Sequence, residues 1–150
     1  MHGFLSENIK LIKVADHSTA AQTDVTSSSV DLAQDGGWDG VCFFTSYGTP
    51  AADNLMHLES SSDDASADPF ADIAGSEVDL ADAITEDQWV DCYRPPERYV
   101  RAIGQRGTSS TLESIWAILY RGKSLPHSLA NLLAGTIYGK RVNSPAVGTK

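Results

Sequence analysis

Apolar and polar residues alternate with a period of two along much of the chain. The pattern is clearest between Asp87 and Tyr120. It predicts three consecutive strands there, over residues 89–93, 98–104 and 112–120. Pro95 and Pro96 remove two backbone donors and end the first strand. Gly107, within a run of Ser and Thr, marks the break after the second. In the third, Leu112, Ser114, Trp116, Ile118 and Tyr120 share one face, and Glu113, Ile115, Ala117, Leu119 and Arg121 share the other. Apolar residues on both faces suit central strands of a sandwich, and the N-terminal half is expected to supply a second sheet.

That half carries shorter versions of the same signal. Residues 9–14 alternate as a first strand, 15–24 read as a polar loop, and 29–32 form a short strand with Val30 and Leu32 on one side. Gln34-Asp35-Gly36-Gly37 is a turn by composition, because adjacent glycines permit positive φ. Residues 38–46 are the most strand-like stretch, with Val41, Phe43 and Thr45 opposing Cys42, Phe44 and Ser46. Residues 54–60 read as a strand, with helix as a competitor. Residues 60–69 are an acidic Ser/Asp loop, 70–75 re-enter the core, 76–80 form another short strand, and 84–87 connect onward. No strand is followed by a 10–15-residue amphipathic helix, which excludes an α/β design. The expectation is all-β: a jelly-roll-like antiparallel β-sandwich over residues 1–122.

Residues 123–150 differ in kind and are expected to form an extended C-terminal arm. Leu129, Leu132 and Leu133 have helical spacing after Pro126, with Ser128 as cap and Gly135 as stop. With Ile137, Tyr138 and Val142 the segment is too apolar for a purely solvated tail. Two placements stay open: packing back over its own sandwich, or docking on a neighbouring subunit with Lys140 and Arg141 as charge contacts.

Composition is ordinary for a globular domain of 150 residues, with 41% hydrophobic and 21% charged residues. No apolar run approaches the roughly 20 residues of a membrane helix. The N-terminal residues lack the order of a secretory signal. Cys42 and Cys92 both fall in apolar strand patterns and are expected to be buried thiols, which suits a reducing cytosol during assembly.

The net charge is −9, unevenly spread. Residues 1–93 carry 18 acidic groups against Lys10 and Lys13 (−16); residues 94–150 carry nine basic groups against Glu97 and Glu113 (+7). The acidic half argues against direct nucleic-acid binding, which needs a continuous basic footprint. The asymmetry suits either solvation or docking on a charged partner.

The sequence offers no active site. The four histidines are dispersed, and GxSxG, CxxC and phosphate-loop patterns are missing. Asp63, Asp64, Asp68 and Asp72 lie in an acidic stretch that does not match an EF-hand. The expectation is a non-catalytic protein with no cofactor and no metal. The stretch that stands out is residues 94–101, where Arg94, Arg98, Tyr99 and Arg101 crowd a proline-stiffened turn. Arg and Tyr there are good interface material, although Arg98 and Arg101 have the alternative of pairing with the chain's own acids. Trp38, Trp89 and Trp116 would serve a carbohydrate-binding module only if exposed, and all three sit in patterns that look buried.

Several segments resemble capsid cement, decoration or head-stabilising proteins of tailed bacteriophages. They are the acidic loop closing on Phe70-Ala71-Asp72-Ile73-Ala74-Gly75, then Val90-Asp91-Cys92-Tyr93-Arg94-Pro95, then Arg98-Tyr99-Val100-Arg101, and Ser144-Pro145-Ala146-Val147-Gly148-Thr149 near the end. The resemblance runs from about residue 9, but the chain departs from the pattern at Leu129 to Leu133. It implies a jelly-roll-like sandwich that binds the outside of a phage capsid as a homodimer or trimer, with the major capsid protein as partner. The implied location is the virion exterior, reached from the host cytoplasm. The runner-up roles are the carbohydrate-binding module and a head–tail connector or tail protein of the same particle.

Overall fold

In the computed structural model, residues 5–49, 51, 53–78 and 87–123 are described. The expected arm lies outside the described residues, with Leu129, Leu132, Leu133, Tyr138, Lys140 and Arg141. So do positions 79–80 of the expected short strand and most of the 84–87 connection.

Among the described residues eleven strands pair, all antiparallel. They are β1 (Ile9–Ala15), β2 (Ser18–Ala21), β3 (Val25–Thr26), β4 (Val30–Asp31), β5 (Trp38–Ser46), β6 (Leu55–Ser61), β7 (Ala71–Asp72), β8 (Asp87–Tyr93), β9 (Tyr99–Gln105), β10 (Ser110–Leu112) and β11 (Ile115–Gly122). One sheet has the order β1-β11-β5-β8; the other runs β3-β9-β6-β7, with β4 also on β9. Passing from β4 to β5, β5 to β6, β7 to β8, β8 to β9 and β9 to β11, the chain changes sheets each time. This interleaving of sequence-distant strands is the jelly-roll form of the β-sandwich. A two-stranded piece, β2 with β10, closes one end.

The two sheets meet over Val41, Phe43 and Tyr47 from the β5 region, Met56 and Leu58 from β6, Val100 and Ala102 from β9, and Ile115, Ala117 and Leu119 from β11. Each such large side chain contributes about 1.5–3 kcal/mol on burial. The competing helix at residues 54–60 loses because Met56 and Leu58 alternate with half-buried positions and the strand is paired on both sides, by β9 and β7.

Several expectations need correction. The polar loop at 15–24 contains β2, held against β10 by Ser110↔Ala21 and Leu112↔Ser18. The expected single strand at 112–120 is two, broken at Glu113-Ser114. Glu113 N–H donates to Ser46 O (2.8 Å) and Thr45 Oγ1 donates to Glu113 O (3.1 Å), which pins the break. The break resets the alternation, so Leu112 joins Ile115, Ala117 and Leu119 in the core instead of facing away from them. Residues 76–78 are not a strand. Ser76 Oγ instead accepts from Leu58 N–H (2.9 Å) and caps β6 beyond the two-residue β7. Phe70 stays half-buried at the surface, and Ile73 makes the contact with the core.

The cysteines are a further correction. Val41↔Cys92 and Cys42↔Asp91 are register pairs on adjacent strands, so the two side chains project to opposite faces of one sheet. Cys92 packs against the core, whereas Cys42 faces outward; both are half-buried free thiols.

Two buried polar residues fix the connections. Arg106 is 4% exposed, and its guanidinium donates to Thr23 O (2.6 Å), Thr19 O (2.7 Å), Ser110 O (3.0 Å) and Thr23 Oγ1 (3.0 Å). Buried Asn54 donates to Thr49 O (2.8 Å) and accepts from Gly107 N–H (3.1 Å). Together they tie the 19–23, 49–54 and 106–110 segments into one end of the sandwich.

Candidate functional site: an open aromatic sheet face

The sheet β1-β11-β5-β8 buries one face and leaves the other open. Register places the outward side chains in rows across the strands. One row is Lys13, Trp116, Phe44 and Trp89; the next is Leu11, Ile118, Cys42 and Asp91; the third is Ile9, Tyr120, Gly40 and Tyr93. Nine of the twelve are apolar or aromatic. Trp89 is 66% exposed and Tyr93 47% exposed, and the other apolar side chains of the face are half-buried against one another. The expectation that all three tryptophans are buried fails. Only Trp38 is fully inside; Trp116 and Trp89 belong to this face.

Both arginines flanking the third row carry backbone strain. Arg94 and Arg121 each have φ of 53°, left-handed values that favour glycine. Their guanidinium carbons stand 5.2 and 5.3 Å from the Tyr93 ring centroid. Strain at non-glycine residues is a pointer to a working surface. Next to this corner a cleft of about 840 Å³ opens between the Gly36–Asp39 turn and the 94–98 segment, with Trp38, Asp39, Arg94, Glu97, Arg98 and Lys123 on its walls.

The sequence run 94–101 is divided by the fold. Arg94 lies at the Tyr93 corner. Arg98 holds Asp31 through two hydrogen bonds (2.8 and 2.7 Å), which keeps the Asp31 carboxyl below its ordinary range, and its guanidinium covers the Tyr99 ring. Arg101 donates to Glu59 Oε2 (2.6 Å) and lies 4.1 Å over Phe70. Arg98 and Arg101 therefore take the intramolecular option left open by the sequence, although Arg98 still shares the cleft wall with Arg94.

Sequence reading missed one cluster. His57, Glu59 and Asp72 bring ligand-type atoms within 4.8 Å of one another on β6 and β7. The composition suits a divalent cation, but Glu59 Oε2 is already taken by Arg101, whose charge opposes a second cation there. The cluster is closed by the Glu59–Arg101 ion pair, with His57 Nε2 3.5 Å from Asp72 Oδ1. The acidic loop is likewise self-satisfied. The Asp63 carboxylate accepts the N–H groups of Ser66 (3.0 Å), Ala67 (2.7 Å) and Asp68 (3.1 Å), so the loop is pinned by its own acids.

No family model and no curated protein matches the chain. Among solved structures it is similar to a protein of Bacillus endospore appendages, described as a family of disulfide-linked pili (16% identity, TM-score 0.36, covering 77% of this chain and 90% of that one). It is also similar to the CBM22-1–GH10 modules of Clostridium thermocellum xylanase 10B, solved with xylohexaose (8% identity, TM-score 0.40, covering 83% of this chain and 30% of that one). Fold and site together define a class: a jelly-roll β-sandwich with an open aromatic sheet.

Proposed function

We propose that this is a structural, non-catalytic protein of a tailed-phage particle that binds the outer surface of the capsid and stabilises contacts between major capsid subunits. One observation carries the adhesive part of this reading: the outward face of one sheet of the sandwich is made mostly of Trp, Phe, Tyr, Ile and Leu, with Trp89 66% exposed. Exposed apolar patches of this breadth mark docking surfaces. The phage setting rests on the resemblance at residues 70–75, 90–95 and 98–101. A pre-folded body loses little entropy on docking, and repeated copies on a lattice add their attachment. Heating or pressurising reconstituted shells with and without the protein tests the reading. Greater resistance with the protein supports it; equal resistance overturns it.

A second reading, a carbohydrate-binding module, gains from the register row Trp116, Phe44 and Trp89, which sets three aromatic side chains on adjacent strands. Quenching or enhancement of tryptophan fluorescence by glycans would favour it, and an unchanged spectrum would remove it.

A further inference from the structure

We infer, resting on the reading of the open sheet as a docking surface, that its occupant is a second copy of this chain. The copies are related by a two-fold axis parallel to the strands. Such an axis lays β1 of one copy over β8 of the other and β11 over β5, with the strands aligned as in packed sheets.

Charge on the face is self-complementary under this operation. The β1 edge presents Lys13, and the β8 edge presents Asp87 and Asp91. Superposing the edges sets Lys13 above Trp89 of the other copy, with Asp87 and Asp91 one pleat to either side. Ammonium over indole and ammonium beside carboxylate are both favourable. Lys13 now pairs with Asp16 at 2.5 Å, and Asp16 is 83% exposed. A surface pair of that kind is worth little, so exchanging it costs little. In the middle of the interface Trp116 meets Phe44 and Ile118 meets Cys42, each twice by symmetry. At the other end Ile9 meets Tyr93, whose exposed ring would be covered.

The strands alone come close to the size of a specific interface but fall short of it. Strands of seven to nine residues at about 3.3 Å per residue, four abreast at about 4.8 Å, give a footprint of about 500 Å². Specific interfaces begin near 600 Å² on each side. Arg94 and Arg121, both against the Tyr93 ring, extend the face beyond the strands. Dimerisation leaves the cleft beside Arg94 as the surface that meets the shell.

Sedimentation of the full chain between about 1 and 100 µM tests the inference. The wild type should form a dimer, and W89A should weaken it about tenfold or more while leaving the melting temperature of the dilute, monomeric protein unchanged. K13E and D87K should each weaken the dimer, and the double variant K13E/D87K should regain much of the loss, because the swap restores opposite charges in both symmetry-related contacts. A monomer at 100 µM would overturn the inference, whether the face is then covered by residues 124–150, by a glycan or by another protein. A dimer indifferent to W89A and to the charge swap would overturn it too. The capsid reading fails separately: shells unprotected by a dimeric protein would remove that reading and leave this one standing.

Discussion

Tyr120 lies across Gly40, and its hydroxyl donates to Asp91 Oδ1 at 2.6 Å on the next strand but one. A Cβ at position 40 would stand 2.2 Å from the Tyr120 ring, so the glycine makes room for an aromatic strap across the open sheet. Gly40→Ala should therefore displace the ring and destabilise the fold by about 1–3 kcal/mol, read as a lower urea midpoint. Tyr120→Phe should cost about 1 kcal/mol for the lost hydrogen bond. Burial and the adjacent Asp91 raise the Tyr120 phenol above the ordinary tyrosine range, so a spectrophotometric titration should find it ionising late.

Arg106 is a buried cation held by three carbonyls and a hydroxyl. Arg106→Ala should cost about 3 kcal/mol, because Thr19, Thr23 and Ser110 lose their donors together. Arg106→Lys should recover only part of that, since one ammonium lacks the planar fork that reaches both Thr23 and Ser110. Denaturant midpoints for the two variants check the order; equal midpoints for wild type and Arg106→Ala would contradict it.

Asp31 supplies a pH signature. Its hydrogen bonds from Arg98 lower the folded-state value beneath the ordinary 3.8. A carboxyl depressed on folding adds stability above its unfolded value and loses it as pH falls through the folded one. The stability gap between wild type and Asp31→Asn should therefore hold steady down to about pH 5 and close as pH falls below 3.8. A gap that widened in acid would contradict the assignment. The pair is surface-exposed, so the gap should also shrink in high salt.

The two thiols should be slow to react. Burial, with Asp91 adding to it, raises both Cys42 and Cys92. Because the thiolate is the nucleophile, a chromogenic disulfide reagent at neutral pH should modify native protein far more slowly than unfolded protein. Their opposite orientation on β5 and β8 also predicts that mild oxidation leaves no bridge between them within one chain. Intact-mass measurement after alkylation would reveal one.

How far the sequence reached can be judged strand by strand. Trp38–Ser46 was legible to the residue, because β-branched and aromatic side chains alternate between a glycine-rich turn and Gly48-Thr49-Pro50. The sandwich followed from strands with apolar residues on both faces. The inward face was harder, since a period of two says that Trp89 and Val90 diverge but not which one enters the core. Register decides it: Val90 meets Phe43 and Cys92 meets Val41, both inside. Trp89, the larger and more apolar-looking choice, is left outside. The break at Glu113-Ser114 was hidden because a single serine inside an apolar alternating run is a weak turn signal; it is imposed by bonds with Ser46 and Thr45, far away in sequence. His57, Glu59 and Asp72 meet only because β6 and β7 fold back on each other, which no spacing rule conveys.

The strand β11 is flanked by β1 on one side and β5 on the other. A ribosome makes its two neighbours long before it makes β11, so the nascent sheet has a missing slat with two unfilled hydrogen-bonding edges. Folding should complete only after Gly122 has emerged, and chains stalled earlier are exposed to mispairing with one another. The long sequence separation between β1 and β11 also places the protein among slow folders.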